Sequence, residues 1–465
     1  MIRLFRHYVA TSLVILSVSE GLIFILAVYV ALSASFGHRA QVSDVAGTGV
    51  YPKALVFALV MLLTMTATGL YQRGLRDSVW GVAFRIGVGF LFGGFVLVLI
   101  ADAFPDVSFG REEFLLAILT ALLGVAMARL IFHGLVHHDT LRLRLLVLGS
   151  GAQAAQLMQL RRRSDWRGIN LVGYVRMPYD QAAVEFNRVL DIKTNLLDLA
   201  REHDVDEIVI AVDNRRKTFP IEDLLECKMS GVRVTELLTF FERQFGRVRL
   251  DTLYPSSLIF LDGFSHAVVR RYSKRAFDAL LSLTMLVVTL PVSALTALAI
   301  WIESGGRGPV FYRQERVGRN GVTFEVLKFR SMRVDAERDG VPTWATPNDS
   351  RITRVGRFIR SARFDELPQL INVLKGEMSF VGPRPERPKF VETLADRIPY
   401  YTMRHRVTPG ITGWAQIRYP YGASEGDARE KLEYDLYYMK NYSSFLDLII
   451  LFQTVQVVLW GHGAR

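Results

Sequence analysis

Apolar residues crowd the first 136 positions of the chain, return once around 279–302, and elsewhere mix with polar residues in shorter periods. Four early runs, near His7–Phe36, Ala54–Tyr71, Val82–Ala101 and Phe114–Val136, are long enough to cross a hydrocarbon core, which takes roughly 20 helical residues. The first is too long for a secretory leader and lacks a small-residue cleavage signature, so it reads as a retained span. Residues 141–262 instead alternate strand-like and helix-like segments, among them Leu145–Leu148, Leu171–Val175, Leu196–His203 and Glu207–Val212. Such βαβ alternation implies a small parallel sheet. The expected organisation is a multi-domain membrane protein: a four-helix transmembrane bundle over 1–140, a Rossmann-like α/β middle domain over 141–262, and a third domain over 263–465.

Basic residues in the short loops set the expected orientation. Arg3 and Arg6 precede the first span, Arg73 and Arg76 lie between the second and third, and Arg142 and Arg144 follow the fourth. The intervening loops are poorer, with Arg39 and Lys53 in one and Arg111 against Asp102, Asp106, Glu112 and Glu113 in the other. Both ends of the bundle, and everything after residue 140, should therefore face the cytoplasm. Glu20 falls near the middle of the first span, where an ionised carboxylate is costly. It is either a proton or substrate contact, or a protonated or arginine-paired residue of the bundle, with Arg85 and Arg129 as partners.

The net charge of +11 allows nucleic acid, anionic lipid or phosphorylated substrates as partners. The arginines gather beside the apolar segments and in the C-terminal third, which favours lipid and phosphate over nucleic acid. A single cysteine, Cys227, excludes an intrachain disulfide framework and a multi-cysteine metal site, and its expected role is packing in the middle domain. The turn Gly149-Ser150-Gly151-Ala152-Gln153-Ala154 follows a strand and opens a helix, as a dinucleotide fingerprint does. The acidic residue that would hold a ribose about 20 residues on is missing, for Tyr174-Val175-Arg176 stands there. A structural or regulatory role for this domain is the better reading.

In the third section, an apolar helix over 277–303 carries Pro291 at its centre, where proline removes one helix hydrogen bond and obstructs another. An ordinary span here would carry the rest of the chain out of the cytoplasm. A helix broken at Pro291 that enters and leaves by one face avoids that conflict; a kinked span is the alternative. Asn320-Gly321 between extended segments signals a hairpin. Its second strand delivers Lys328 and Arg330 on one face, as phosphate ligands or as a solvated face. Asp365 and Glu366 are adjacent, so on a helix they point about 100° apart and should do different jobs. Arg360 and Arg363 precede them, and the proline-stiffened loop Val381-Gly382-Pro383-Arg384-Pro385-Glu386 presents Arg384 and Glu386 with little entropy left to lose.

Lys328-Phe329-Arg330-Ser331-Met332, Asp365-Glu366-Leu367-Pro368-Gln369, Asn372-Val373-Leu374-Lys375-Gly376-Glu377-Met378-Ser379, Val381-Gly382-Pro383-Arg384-Pro385 and Pro409-Gly410-Ile411-Thr412-Gly413-Trp414-Ala415-Gln416 occur in unbroken order. Together they resemble the bacterial sugar transferase family, the monotopic polyprenyl-phosphate phosphoglycosyl transferases. With its spans and middle domain, the chain resembles the large members that prime exopolysaccharide synthesis. The segment Gly246–Phe264 is similar to the subgroup tied to exosortase-type systems. The resemblance implies an α/β monotopic catalytic domain whose re-entrant helix breaks at Pro291, although Leu290 stands where the family often has serine.

It further implies transfer of a sugar-1-phosphate from a UDP-sugar to undecaprenyl phosphate, with release of UMP and a covalent ping-pong course. Asp365 is the implied nucleophile and Glu366 its companion. Lys328, Arg330, Arg360, Arg384 and Glu386 form the expected phosphate-binding set, and Mg²⁺ would be held by Asp365 or a neighbouring oxygen. The resemblance also allows a homodimer, which no residue pattern here specifies. The alternatives are a non-catalytic membrane scaffold of polysaccharide assembly, and an oxidoreductase or epimerase built on Gly149–Ala154. The intact Asp-Glu and Pro-Arg-Pro motifs oppose the first, and the missing ribose acid and Tyr-x-x-x-Lys signature oppose the second.

Overall fold

The computed structural model describes the chain except residues 1, 5–6, 10, 37–49, 72–78, 138–141, 159–165, 167, 179, 181–182, 185–188, 192–194, 215–218, 254–262, 265–267, 335–350, 420–421, 423 and 461–465. Arg6, Arg39, Arg73, Arg76, Leu261 and Asp262, which enter the expectations above, lie outside the described residues. The chain forms two compact units, Met1–Leu4 with Tyr8–Gly246, and Phe5–His7 with Arg247–Arg465. The units divide between Gly246 and Arg247. The Val248 amide donates to the Glu433 carbonyl (3.0 Å) and the Leu250 amide to the Glu433 carboxylate (3.1 Å), which ties this stretch to the second unit.

The first unit opens with four apolar helices, α1 (Thr11–Phe36), α2 (Val50–Ala67), α3 (Val79–Ala103) and α4 (Arg111–His137). Helix α1 packs on α4 and α2, and α2 on α3, around Phe24, Phe57, Met61, Phe90 and Val125. Their outward faces are also apolar, with Leu22, Leu26, Leu55, Leu91 and Leu119 exposed. Helices apolar all round belong in a hydrocarbon environment. The chain is a membrane protein. Glu20 is fully buried, and Arg129 answers it, with Nε 2.7 Å from Oε1, while the Tyr71 hydroxyl donates to the other oxygen. Arg85 donates to the Thr68 carbonyl (2.8 Å). Arg129, one of the two candidate partners, pairs with Glu20.

Beyond the helices, the first unit holds a five-stranded sheet of β1 (Leu143–Leu148), β2 (Ile169–Val175), β3 (Val189–Leu190), β4 (Glu207–Ile210) and β5 (Arg233–Glu236). Their order is β3-β2-β1-β4-β5 and every pairing is parallel. The central strands are buried on both faces, which is why they read as continuous runs such as Leu-Val-Leu rather than alternating ones. Helix α5 (Ala152–Met158) follows β1, and helices α6 (Leu196–Glu202), α7 (Ile221–Met229) and α8 (Leu237–Phe245) complete the layers. Cys227 lies in the core as expected.

In the second unit, helix α9 runs Val268–Glu303 and contains Pro291 without interruption. The expected break is therefore a proline inside one continuous helix, since a long ladder tolerates a single missing donor when its neighbours stay paired. Both arms of α9 pack on this unit. On one side, Ser282 donates to the Leu370 carbonyl (2.6 Å) and Arg275 to the Val373 carbonyl (2.6 Å). On the other, Ile300 shares a buried cluster with Phe329, Ile359 and Leu367, and Glu303 accepts from the Val355 amide (3.1 Å).

Strands β6 (Phe311–Val317) and β7 (Thr323–Phe329) form an antiparallel hairpin. At its turn Asn320 and Gly321 have φ of 56° and 82°, the left-handed conformations that such a turn requires. Helices α10 (Arg354–Ser361) and α11 (Gln369–Lys375) flank the turn bearing Asp365. Strands β8 (Ser379–Val381) and β9 (Gly410–Thr412) pair in parallel and flank the proline loop and helix α12 (Pro388–Arg397). Helices α13 (Trp414–Arg418), α14 (Glu425–Lys440) and α15 (Ser444–Trp460) close the unit.

Candidate active site

Asp365 and Glu366 sit on a single 3₁₀ turn, Phe364–Glu366, between α10 and α11. The residue before it, Arg363, has φ of 61°, a left-handed conformation that costs a non-glycine residue about 1–2 kcal/mol. Strain of this kind persists where the surroundings over-determine the backbone. Asn372 is one such determinant. Its Oδ1 accepts from the Leu327 amide (3.0 Å), and its Nδ2 donates to the Glu325 carbonyl and the Glu377 carboxylate (2.7 Å each). A side-chain amide thereby completes the free edge of β7 and locks α11 beside the strand that carries Lys328. The motif that contains Asn372 assigns it no task, because its bonds join residues too far apart along the chain for spacing to reveal them.

The two carboxylates differ in what surrounds them. Glu366 is held by two cations, Lys328 Nζ at 3.2 Å and Arg384 Nη2 at 3.4 Å, both to Oε1. Those charges hold it down at about 2 against a burial that would raise it. Among the described residues, no hydrogen bond or ion pair reaches Asp365, which is 9% exposed. Burial first, and the Glu366 charge next, push its carboxyl above the ordinary value, while Lys328, Arg360 and Arg363 oppose the rise. Burial also lowers the Lys328 ammonium, with Glu366 working the other way. Glu366 orders the cations and Asp365 is left free.

The remaining expected residues divide. Arg360 lies within electrostatic reach of Asp365, and Arg384 is held a second time by Gln416, whose Oε1 accepts from Nη1 (3.0 Å). Among the described residues Arg330 makes no hydrogen bond or ion pair with either carboxylate; its guanidinium lies over Gly308, where a Cβ would meet Nη1. Glu386 pairs with Arg316 (3.4 Å), and its carbonyl accepts from the Val317 amide (2.9 Å). It ties the hairpin to the proline loop, a task its charge suits better than holding phosphate. Pro291 belongs to α9 and takes no part in the charge cluster.

Among the described residues, no group of three His, Cys, Asp or Glu side chains gathers as a metal shell. Mg²⁺ commonly takes one or two carboxylates and completes its octahedron with substrate oxygens and water. Asp365, buried and without a partner, fits that donor pattern; Glu366, already held by two cations, does not.

A strained turn presenting one free carboxylate among cations, in a unit that also carries a long apolar helix, suits chemistry on phosphate in a membrane protein. Residues 269–461 match the family model for bacterial sugar transferases, and residues 66–226 match one for a CoA-binding domain. The chain is 31% identical to a UDP-glucose:undecaprenyl-phosphate glucose-1-phosphate transferase of Klebsiella pneumoniae, over 86% of this chain and 87% of that protein. It is 31% identical to the protein of that name in Xanthomonas campestris pv. campestris, over 73% and 72%. It is also 41% identical to a UDP-N-acetylgalactosamine-undecaprenyl-phosphate N-acetylgalactosaminephosphotransferase of Aeromonas hydrophila, over 52% of this chain, and spans 56% of that relative. The chain belongs to the bacterial sugar transferase family.

The second family description implies coenzyme A, whose diphosphate would rest on the glycine turn after β1. That turn does not fit it. Asp213 accepts from the Ala152 amide (2.9 Å) and the Gln153 amide (2.8 Å), and Asp180 accepts from the Ser150 amide (2.8 Å). The backbone donors that a diphosphate needs are taken by the protein's own carboxylates.

Proposed function

We propose that this chain moves a sugar-1-phosphate from a UDP-sugar to undecaprenyl phosphate at the cytoplasmic face of the inner membrane, releasing UMP and starting an exopolysaccharide repeat unit. The observation that carries the reading is the unequal treatment of the Asp365–Glu366 pair. Glu366 is fixed by Lys328 and Arg384, and Asp365 is free to act as a nucleophile. In the first displacement an Asp365 oxygen bonds to the sugar-bearing phosphorus, and the diphosphate bond breaks with its electron pair leaving on UMP. In the second, a phosphate oxygen of the lipid attacks the same phosphorus, forms the new diphosphate and returns the carboxylate. Lys328, Arg360 and Arg384 steady phosphate oxygens as charge moves between them. Mg²⁺, with Asp365 as the residue able to hold it, would supply charge neutralisation on the diphosphate.

The re-entrant reading of α9 draws support from its two arms. Ser282 binds the Leu370 carbonyl, while Ile300 lies in the cluster that includes Leu367, three residues earlier. A straight helix would separate Ser282 and Ile300 by about 27 Å, at 1.5 Å per residue. A bend at Pro291 lets one short stretch of chain receive both arms. Placement on the cytoplasmic face draws support from the basic residues Arg3, Arg142 and Arg144 that flank the apolar helices.

Incubating the full chain in membranes with undecaprenyl phosphate and UDP-linked glucose, galactose or N-acetylgalactosamine, and measuring UMP, tests the proposal. UMP release from one donor, dependent on Asp365, is the expected result; lipid-linked product formed equally well by Asp365→Asn contradicts it.

A further inference from the structure

The geometry points to Arg404 as a positioning residue that, through its ion pair with Asp435, fixes the backbone of the Arg384 loop and so aims the Arg384 guanidinium. This rests on the reading of Asp365 as the nucleophile and Arg384 as a phosphate ligand. Arg404 and Asp435 are both buried. Arg404 Nη2 stands 2.9 Å from Asp435 Oδ2 and donates to the Arg384 carbonyl at 3.1 Å, while Nη1 donates to the Tyr401 hydroxyl at 2.7 Å. Pro383 and Pro385 have no amide hydrogen and anchor the loop only through their carbonyls, which accept from the Gly410 amide (2.9 Å) and Arg316 (3.0 Å); the Arg384 carbonyl between them is the one Arg404 holds. The guanidinium at the other end is gripped by Gln416 and Glu366. Arg384 is thus held at backbone and head by separate partners.

A buried arginine–carboxylate pair is a poor source of stability, because desolvating both charges offsets their attraction. Such a pair here is better explained by what it orients. In UMP-release assays on the full chain in membranes, Arg404→Met should lower kcat by about 10²-fold, the cost of a misplacement near 1 Å, and shift KM for the UDP-sugar far less. Arg404→Lys, which keeps one donor, should recover part of that loss. Arg404→Met leaves Asp435 buried and unpaired, so the double variant Arg404→Met/Asp435→Leu is the control that removes the orphan charge. We expect that double variant to fold, by an unchanged melting profile, yet to stay as slow as the single one. Recovery of parental kcat in it would reduce the pair to a structural role and overturn the proposal. Absence of UMP release from the parent would instead count against the proposed function itself.

A second, independent observation concerns the α/β domain. In the order β3-β2-β1-β4-β5, the crevice at the ends of β1 and β4 is where open parallel sheets bind ligands. We infer that Asp213 serves there as a built-in substitute for a phosphate, so that the domain takes no coenzyme A or dinucleotide at this turn. Its two oxygens meet consecutive amides, and a Cβ on Gly151 would fall against Oδ2, so the missing side chain leaves the room this carboxylate occupies. Thermal unfolding of the full chain should be unmoved by millimolar coenzyme A, NAD or ADP. Asp213→Ala should melt earlier than the parent and Asp213→Asn, which keeps an acceptor, should lie between. Stabilisation of the parent by coenzyme A, NAD or ADP that Asp213→Ala abolishes would overturn it, as would an Asp213→Ala variant that melts like the parent.

Discussion

Two aspartates, one in each compact unit, stand at turns where a phosphate could be handled, and the chain treats them oppositely. Asp213 spends both oxygens on the amides of Ala152 and Gln153, in a domain whose outline suggests a nucleotide site. Asp365 makes no hydrogen bond or ion pair among the described residues, although Lys328, Arg360 and Arg363 all act on it electrostatically. A carboxylate whose lone pairs are committed is a structural part, and one kept free among cations is available for chemistry.

The contrast can be broken most sharply by removing each charge in turn. Asp365→Asn should lower UMP release by about 10³-fold or more, as loss of a nucleophile does, and Asp213→Asn should leave it within about twofold. The next largest effect belongs to Glu366→Gln. Losing the anchor of Lys328 and Arg384 should cost about 10² in kcat, the size expected for a displaced charge stabiliser.

The same variant has a pH signature. The Glu366 charge raises the Asp365 carboxyl, and the nucleophile must be ionised, so the parent loses rate as pH falls through that raised value. Removing the charge lowers the value, and the acid limb of the kcat profile should move to lower pH. Folding has its own limb. Glu366 titrates at about 2 in the folded chain against an ordinary 4.5, so its contribution to stability is present above 4.5 and is lost as pH falls toward 2.

Smaller effects sharpen the picture of what holds the site. Asn372→Ala leaves the Leu327 amide and Glu325 carbonyl unpaired and should destabilise the second unit by about 1–3 kcal/mol, read as an earlier melting transition. The smallest expected change is a near-null: Arg330→Ala should alter kcat by less than about threefold, where Lys328→Ala costs tenfold or more in the same assay.

Much of this was legible in the sequence, for physical reasons that can be named. Apolar runs of span length have few folded solutions, so the helices α1–α4 appear close to where hydropathy puts them. Asn320-Gly321 forced a hairpin because two successive left-handed residues fit little else. The absence of a ribose acid after β2 weakens the nucleotide reading of the middle domain, while the use of the glycine-turn amides by Asp213 could not be read from spacing. What escaped were the contacts between distant residues. Lys328 and Arg330 share a strand face, yet only Lys328 reaches Glu366, because the position of the Asp365 turn along β7 is set by Asn372. Glu386 sits beside Arg384 in the proline loop, and its partner Arg316 lies on a strand before it. Pro291 broke the pattern of a helix without ending it.

The claim on which the rest depends is a covalent phosphosugar on Asp365, and mass spectrometry of peptides from the full chain, quenched after mixing with donor in the absence of lipid acceptor, tests it most directly. The account predicts a sugar-phosphate mass on the peptide containing Asp365, formed in step with one equivalent of UMP and discharged when undecaprenyl phosphate is added. Lipid-linked product accumulating while that peptide stays unmodified would contradict it.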